Sequence, residues 1–221
     1  TEEEGGTGTL TDFTFVSSNF LVGSLDSDEG VVLLWDMAAG VQLGQWGLHS
    51  QSVSCVEANA EGKWFISAAE DGTALLTDFR SGETQHSYNC FVSPGDDFNT
   101  VSLSYCERYV AFGAQNNAIS TFDVRKHEKP LYVLKHDNVI SSHINQGISS
   151  CSWLQKPGST TLVSGGEDLL TRIWDVSLGN PLINSLGGHG ASISAVAVDK
   201  EGRSVVSGGD EGVVIFYSAG D

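Results

Sequence analysis

The chain has 221 residues, 40% of them hydrophobic and 9% aromatic, which is enough apolar material for a core and excludes disorder of the whole. Its 28 acidic against 11 basic residues give a formal net charge of −17, which argues against direct binding to nucleic acid or to anionic membrane surfaces and favours protein partners with basic segments. Many glycines (26) and few prolines (four) suit an all-β chain of short strands and tight turns.

The first residues, 1–9, read TEEEGGTGT, an acidic, glycine-rich stretch expected to be a flexible tail. The chain starts at Thr1 and its only methionine is Met37, so the native N-terminus is expected to lie upstream. From residue 10 onward one pattern recurs. An apolar strand ends in an aromatic-Asp pair or a decayed version of it at VVLLWDM (31–37), TALLTDF (73–79), AISTFDV (118–124), LTRIWDV (170–176) and VVIFYSA (213–219). The landmark position falls at Trp35, Thr77, Phe122, Trp174 and Tyr217, at intervals of 42, 45, 52 and 43 residues. The long interval is expected to be absorbed by an extended polar loop over 136–147.

Upstream of each landmark a second strand ends in small residues and a polar, mostly acidic turn, as in WFISAAEDG (64–72) and TLVSGGED (161–168). Before it lies a strand of alternating character, such as ISSCSW (148–153) or SISAVAV (192–198), the period-two signature of a half-buried strand. A fourth strand follows the landmark, for example VQLGQWG (41–47). No stretch carries a 3.6-residue apolar stripe, so almost no helix is expected. Five units are predicted, over 10–47, 50–91, 99–136, 147–187 and 190–221, each four-stranded except the last, where the four residues after Tyr217 are too few for a fourth strand.

These repeats resemble the WD-repeat family, whose period is about 40–45 residues. The best single match runs from His49 to Asp78, where His49, Val53, Val56, Ser67, Asp71, Gly72 and Asp78 stand at the family's offsets, and Gly188-His189 opens the last repeat in the same way. The resemblance implies an all-β fold, a β-propeller of four-stranded antiparallel blades, with the five repeats forming part of a seven-bladed ring, a ring closed by segments such as residues 1–9, or an open arc completed by a partner. It also implies a hydrogen-bonded lock within each blade. The expected sets are His49–Ser67–Asp71 with Thr77, Ser164–Asp168–Trp174 with His143, and His189–Ser207–Glu211 with Tyr217, while Trp35 is the aromatic of the first repeat. A His-Ser-Asp constellation that recurs in successive repeats reads as structure rather than as a catalytic triad.

No nucleotide-binding glycine loop, zincin motif or metal-ligand spacing of histidines occurs, so neither catalysis nor a cofactor is expected. Four scattered cysteines, Cys55, Cys90, Cys106 and Cys151, point to a reducing compartment, cytoplasm or nucleus. The family resemblance implies a scaffold or adaptor subunit of a hetero-oligomeric complex. Two surfaces stand out for partners. Turns between second and third strands place Asp28, Glu70, Glu167 and Asp210 around one rim, suited to a basic peptide. Asp78-Phe79-Arg80 and Asp123-Val124-Arg125 resemble the paired Asp-x-Arg boxes of substrate receptors for cullin-4 ubiquitin ligases, with Arg80 and Arg125 as the adaptor contacts.

Overall fold

The computed structural model describes residues 9–16, 19–88, 90, 97–136 and 147–218. All but the last residue of the expected tail therefore lies outside the described residues, as does His143. Every regular element among the described residues is a strand. The first sheet holds β1 (Thr9–Phe15), β2 (Phe20–Asp26), β3 (Val31–Asp36) and β4 (Val41–Gly47). The second holds β5 (Val53–Ala58), β6 (Trp64–Ala69), β7 (Ala74–Asp78) and β8 (Thr84–Tyr88). The third is β9 (Phe98–Leu103), β10 (Tyr109–Ala114), β11 (Ala118–Asp123) and β12 (Tyr132–Lys135), and the fourth is β13 (Ile148–Trp153), β14 (Thr161–Gly166), β15 (Thr171–Asp175) and β16 (Leu182–Leu186). The fifth has three described strands, β17 (Ile193–Val198), β18 (Ser204–Gly209) and β19 (Val214–Ser218). Within each sheet the strands follow chain order and pair antiparallel, as the alternating patterns predict.

A four-stranded sheet has two apolar faces, and it covers them only by stacking on its neighbours. The seams are distinct clusters. Val22, Val32, Val53 and Phe65 join the first two sheets; Ile66, Tyr88, Phe98 and Phe112 join the second and third. Ile119, Ile148, Trp153 and Leu162 join the third and fourth, and Val163, Ile193 and Val205 the fourth and fifth. The inner strands β1, β5, β9, β13 and β17 follow one another around an axis, and no comparable packing joins β17 back to β1 among the described residues. Large apolar side chains are accordingly exposed at the two ends of the stack: Leu10, Phe13 and Phe15 on β1, and Val214 and Phe216 on β19, with Phe216 75% exposed.

One irregularity recurs in all five inner strands. Each breaks register at a polar residue, so that Thr11, Ser54, Asn99, Ser149 and Ser194 are bulged out of the ladder. Three of these side chains donate to the carbonyl that precedes the bulge in the next inner strand. Thr11 Oγ1 reaches Val53 O at 2.6 Å, Asn99 Nδ2 reaches Ile148 O at 3.1 Å, and Ser149 Oγ bonds Ile193 O. The following residue often accepts from that same strand, as Asp12 does from the Val56 amide (3.0 Å) and Ser150 from the Val196 amide (3.1 Å). Ser194 meets no further inner strand among the described residues and turns to Asp210 of its own sheet.

The turns between second and third strands need a left-handed residue. Glycine supplies it at Gly30, Gly72 and Gly212, whereas Asn117 (φ 62°) and Leu169 (φ 65°) adopt it without that freedom.

Candidate functional site

Because strands alternate in direction, the turns β2–β3, β6–β7, β10–β11, β14–β15 and β18–β19 open at one end of the stack, and the other hairpin turns open at the opposite end. Polar locks sit just beneath the first set of turns. In the fourth sheet the Trp174 indole N–H donates to Ser164 Oγ (2.8 Å), Ser164 meets His136 Nε2 (2.8 Å), and His136 Nδ1 meets Asp168 Oδ1 (2.8 Å). Arg172 completes the chain by donating to Asp168 Oδ2 (2.8 Å) and to Lys135 O (3.1 Å). Burial raises the Asp168 carboxyl, but His136 and Arg172 outweigh it and hold the group below the usual carboxylate range. The carboxylate is thus ionised and can only accept, so the proton of the pair sits on His136 Nδ1.

This corrects the sequence expectation in two ways. The histidine of the fourth lock is His136, 2% exposed, so the polar stretch after β12 does not begin as open loop. His143 lies outside the described residues. Arg172, absent from the predicted set, proves to be the buried counter-ion.

The other locks are looser. His49 Nε2 bonds Ser67 Oγ (2.8 Å), but Thr73 stands between the histidine and Asp71, at 2.7 Å from His49 Nδ1 and 2.5 Å from Asp71 Oδ1. Burial lowers the His49 pKa against the opposing pull of Asp71. Thr77 is fully buried with its hydroxyl unbonded, so it fills the landmark position without replacing an indole. In the fifth sheet His189 bonds Ser207 (2.7 Å) and Glu211 (2.5 Å), while Tyr217 reaches Gly187 O instead (3.4 Å). Trp35 is no member of a histidine lock among the described residues. It packs on Leu25, Val31 and Leu33 of its own sheet. The third sheet puts Phe112 and Phe122, both 0% exposed, where others carry serine and tryptophan, and seals itself with aromatic contacts to Tyr88 and Phe98.

In the fourth sheet a small residue precedes the acidic turn for a steric reason. A Cβ on Gly165 would lie 2.5 Å from Ile193 and 2.8 Å from Val196 of the next sheet.

Above the locks the carboxylates gather unevenly. Asp26, Asp28, Glu29 and Glu70 are exposed and Asp97 is half-buried, on turns of the first three sheets. Burial, then the neighbouring Asp97 and Asp26, raises the Glu70 pKa, a sign that charges from three sheets converge there. Asp97, in the connection leading into β9, was not legible as part of this cluster. Glu167 departs from the expected rim: the residue is only 4% exposed, although its amide makes the same kind of bond, to Gly147 O (3.1 Å), that the exposed Glu70 makes to Ser52 O (3.0 Å) and Asp210 to Ser192 O (2.9 Å). Asp210 is exposed and accepts from Ser194. Of all the Lys and Arg residues, only Lys135 and Arg172 lie toward this end, and Arg172 is buried on Asp168.

At the opposite end, Asp78 and Asp123 cap the turns after their strands. Asp78 Oδ1 accepts the Arg80 amide (2.8 Å), Asp123 Oδ1 accepts the Arg125 amide (3.1 Å), and both arginine side chains are left exposed. Asp36 and Asp175 make the same turn before Ala38 and Ser177. The aspartate is therefore a turn former in four sheets, and the arginine is the variable part.

A buried carboxyl lies between β5 and β9. Glu57 accepts the Leu103 amide, and burial, opposed by that bond and reinforced by Asp12, pushes its pKa up to about 8. The folded chain therefore keeps a proton that the unfolded chain releases near 4.5, and this group's contribution to stability is intact below that pH and lost as pH rises through about 8. Glu57→Gln is expected to remove this decline. Denaturant midpoints of variant and parent should converge in acid, separate in the variant's favour as pH rises from 4.5 to about 8, and keep that separation above it; curves parallel throughout would refute the assignment.

No His/Cys/Asp/Glu grouping able to hold a metal ion occurs among the described residues.

Comparison with known proteins agrees with this geometry. The model of the WD domain, G-beta repeat, matches residues 40–78, 129–175 and 180–218, together more than half of the chain. Protein ROOT INITIATION DEFECTIVE 3 of Arabidopsis thaliana is 24% identical over 211 residues, covering 90% of this chain and 45% of that protein. Rik1-associated factor 1 of Schizosaccharomyces pombe is 26% identical over 139 residues (59% and 22%), and the U3 small nucleolar RNA-associated protein 15 homolog of Xenopus tropicalis is 26% identical over 191 residues (86% and 34%). The chain thus spans less than half the length of these relatives. The solved Dos1 propeller superposes with a TM-score of 0.73 at 20% identity over 90% of this chain and 50% of that one, a likeness of fold. With its repeating sheets, recurring His-Ser locks and family-model match, the chain belongs to the WD-repeat family of β-propellers.

Proposed function

We propose that the chain is a protein-interaction scaffold of an intracellular multiprotein complex, and that its acidic end receives a basic peptide segment. The observation that carries this reading is the segregation of charge, with exposed carboxylates of the first two sheets and the half-buried Asp97 beside the third converging on Glu70 at an end almost devoid of lysine and arginine. Such a field steers and selects a cationic segment, and salt screens it. Relatives named as a U3 small nucleolar RNA-associated protein and as a subunit of eukaryotic translation initiation factor 3 support work inside complexes, in nucleus or cytoplasm. Cys55, Cys90, Cys106 and Cys151 as free thiols support a reducing setting. The rigid stack supplies the mechanism, since locked sheets hold the turns in fixed positions.

A labelled Lys/Arg-rich peptide titrated against the chain tests the reading. Charge reversal by Asp26→Lys, Glu70→Lys and Asp97→Lys is expected to weaken binding about tenfold or more and to flatten its salt dependence. Unchanged affinity would refute it.

A second reading, a substrate receptor of a cullin-4-type ubiquitin ligase, is favoured by one observation. Arg80 and Arg125 occupy the same position after capped turns of adjacent sheets, both exposed at the end away from the acidic cluster. Loss of cullin-adaptor capture on Arg80→Ala with Arg125→Ala is the expected result under that reading.

A further inference from the structure

The turn between β11 and β12 differs from every other turn of the molecule in its charge. Arg125, Lys126 and Lys129 fall within five residues of a chain whose net charge is −17, and all three are exposed. Among the described residues none of them makes an ion pair. Asp123, the nearest buried acid, is already engaged by Arg108 Nε (3.3 Å) and by the Arg125 amide. Glu128 is the single carboxylate within the turn.

The turn is also built rather than loose. Its base is held where Tyr88 Oη donates to Val124 O (3.1 Å) and the Lys126 amide to Asp123 O (2.7 Å). Its tip is tied to the second sheet by the His127 ring, which stacks on His86 of β8 at 4.5 Å between centroids and 15° between planes. His127 Nδ1 is enclosed with no hydrogen-bond partner. Residues Arg125, Lys126, His127, Glu128 and Lys129 together line an open cavity of about 370 Å³.

We propose that this turn is a docking site for a carboxylate-rich peptide segment of a partner protein. Unpaired cations on a strongly acidic chain retain their full demand for an anion, and the fixed turn presents them without the ordering cost of a flexible tail. The cavity is of side-chain size, which suits one or two Asp or Glu residues. A nucleic-acid strand fits less well, because its next phosphates would run onto Glu83 and Glu107 of the neighbouring turns at this end. The site lies away from the acidic cluster and does not depend on it, so the scaffold would hold segments of opposite charge at its two ends.

Titration of the whole chain with a labelled Glu/Asp-rich peptide tests this, beside a Gln/Asn peptide of equal length, a phosphoserine peptide and a single-stranded oligonucleotide. The acidic peptide is expected to bind in preference to the neutral one. Lys126→Glu with Lys129→Glu is expected to weaken it about tenfold or more, while Lys156→Glu with Lys200→Glu, an equal charge change at the same end, leaves affinity within about twofold. Arg125 stays intact in both variants, which separates this test from capture of a cullin adaptor, and circular dichroism confirms that both remain folded. Equal binding of acidic and neutral peptides, an indifferent response to the Lys126/Lys129 reversal, or preference for the phosphoserine peptide or the oligonucleotide would each overturn the proposal.

Discussion

Asp168→Ala is expected to destabilise the chain by about 3–5 kcal/mol, the most of any change at the polar locks. The side chains of His136 and Asp168 are fully buried and that of Arg172 is 5% exposed, so truncation strands a guanidinium and an imidazole N–H where water does not reach. Asp71→Ala offers the internal comparison. Asp71 is half-buried and bonds Thr73 and the Ser50 amide, groups that water can partly satisfy, and about 1–2 kcal/mol is expected. At about 2–4 °C per kcal/mol for a chain of this size, calorimetry separates the two variants. Pairing Asp168→Ala with Arg172→Met should restore part of the loss by removing the stranded charge; no restoration, or a melting shift no larger than that of Asp71→Ala, would contradict the assignment.

The second large effect is expected at Trp153, which is 0% exposed on the inner strand β13. Its indole N–H donates to Ser102 O (3.0 Å) and its ring stacks on Tyr109 at 5.9 Å, so one side chain closes the seam between the third and fourth sheets. Trp153→Ala removes that area and leaves a cavity, costing about 3–5 kcal/mol. Trp153→Phe keeps much of the apolar contact but leaves Ser102 O without its donor, for about 1–3 kcal/mol. Chemical denaturation of the three forms should rank them parent, phenylalanine, alanine. If phenylalanine matched alanine, the hydrogen bond rather than the packed area would be the dominant contribution.

The fold was largely legible because period-two alternation and the aromatic-Asp landmark report on local backbone and burial, which a strand carries in its own residues. The locks were legible only where spacing was undisturbed. His49 and His189 each stand 18 residues before their serines, but His136 stands 28 before Ser164. The ten extra residues moved the histidine out of the window in which it was sought and left His143 as the nearer choice. Arg172 was hidden for another reason, since a charged residue on a strand reads as a solvent-facing position unless its counter-ion is known to be buried beside it. Glu167 misled in the opposite sense. Its counterpart Glu70 is exposed at the same repeat position with the same kind of main-chain bond, so neither the spacing nor the turn's backbone marks Glu167 as buried. Asp97 joins the acidic cluster through the stacking of three sheets, a relation that no short segment encodes.

The bulged polar residues of the inner strands have a consequence for how such a chain is assembled. Three of the four seams join unlike surfaces, a side chain on one strand and a main-chain oxygen on the next, so the contact is head-to-tail and runs in a single sense around the axis. A module inserted or duplicated anywhere in the series inherits a working joint if it brings one small polar residue at its bulge and a carbonyl ahead of it. Reversing a module would place two donors face to face. Rotational order in this molecule is therefore written in three side chains, Thr11, Asn99 and Ser149, at positions where hydrophobicity alone is indifferent to direction.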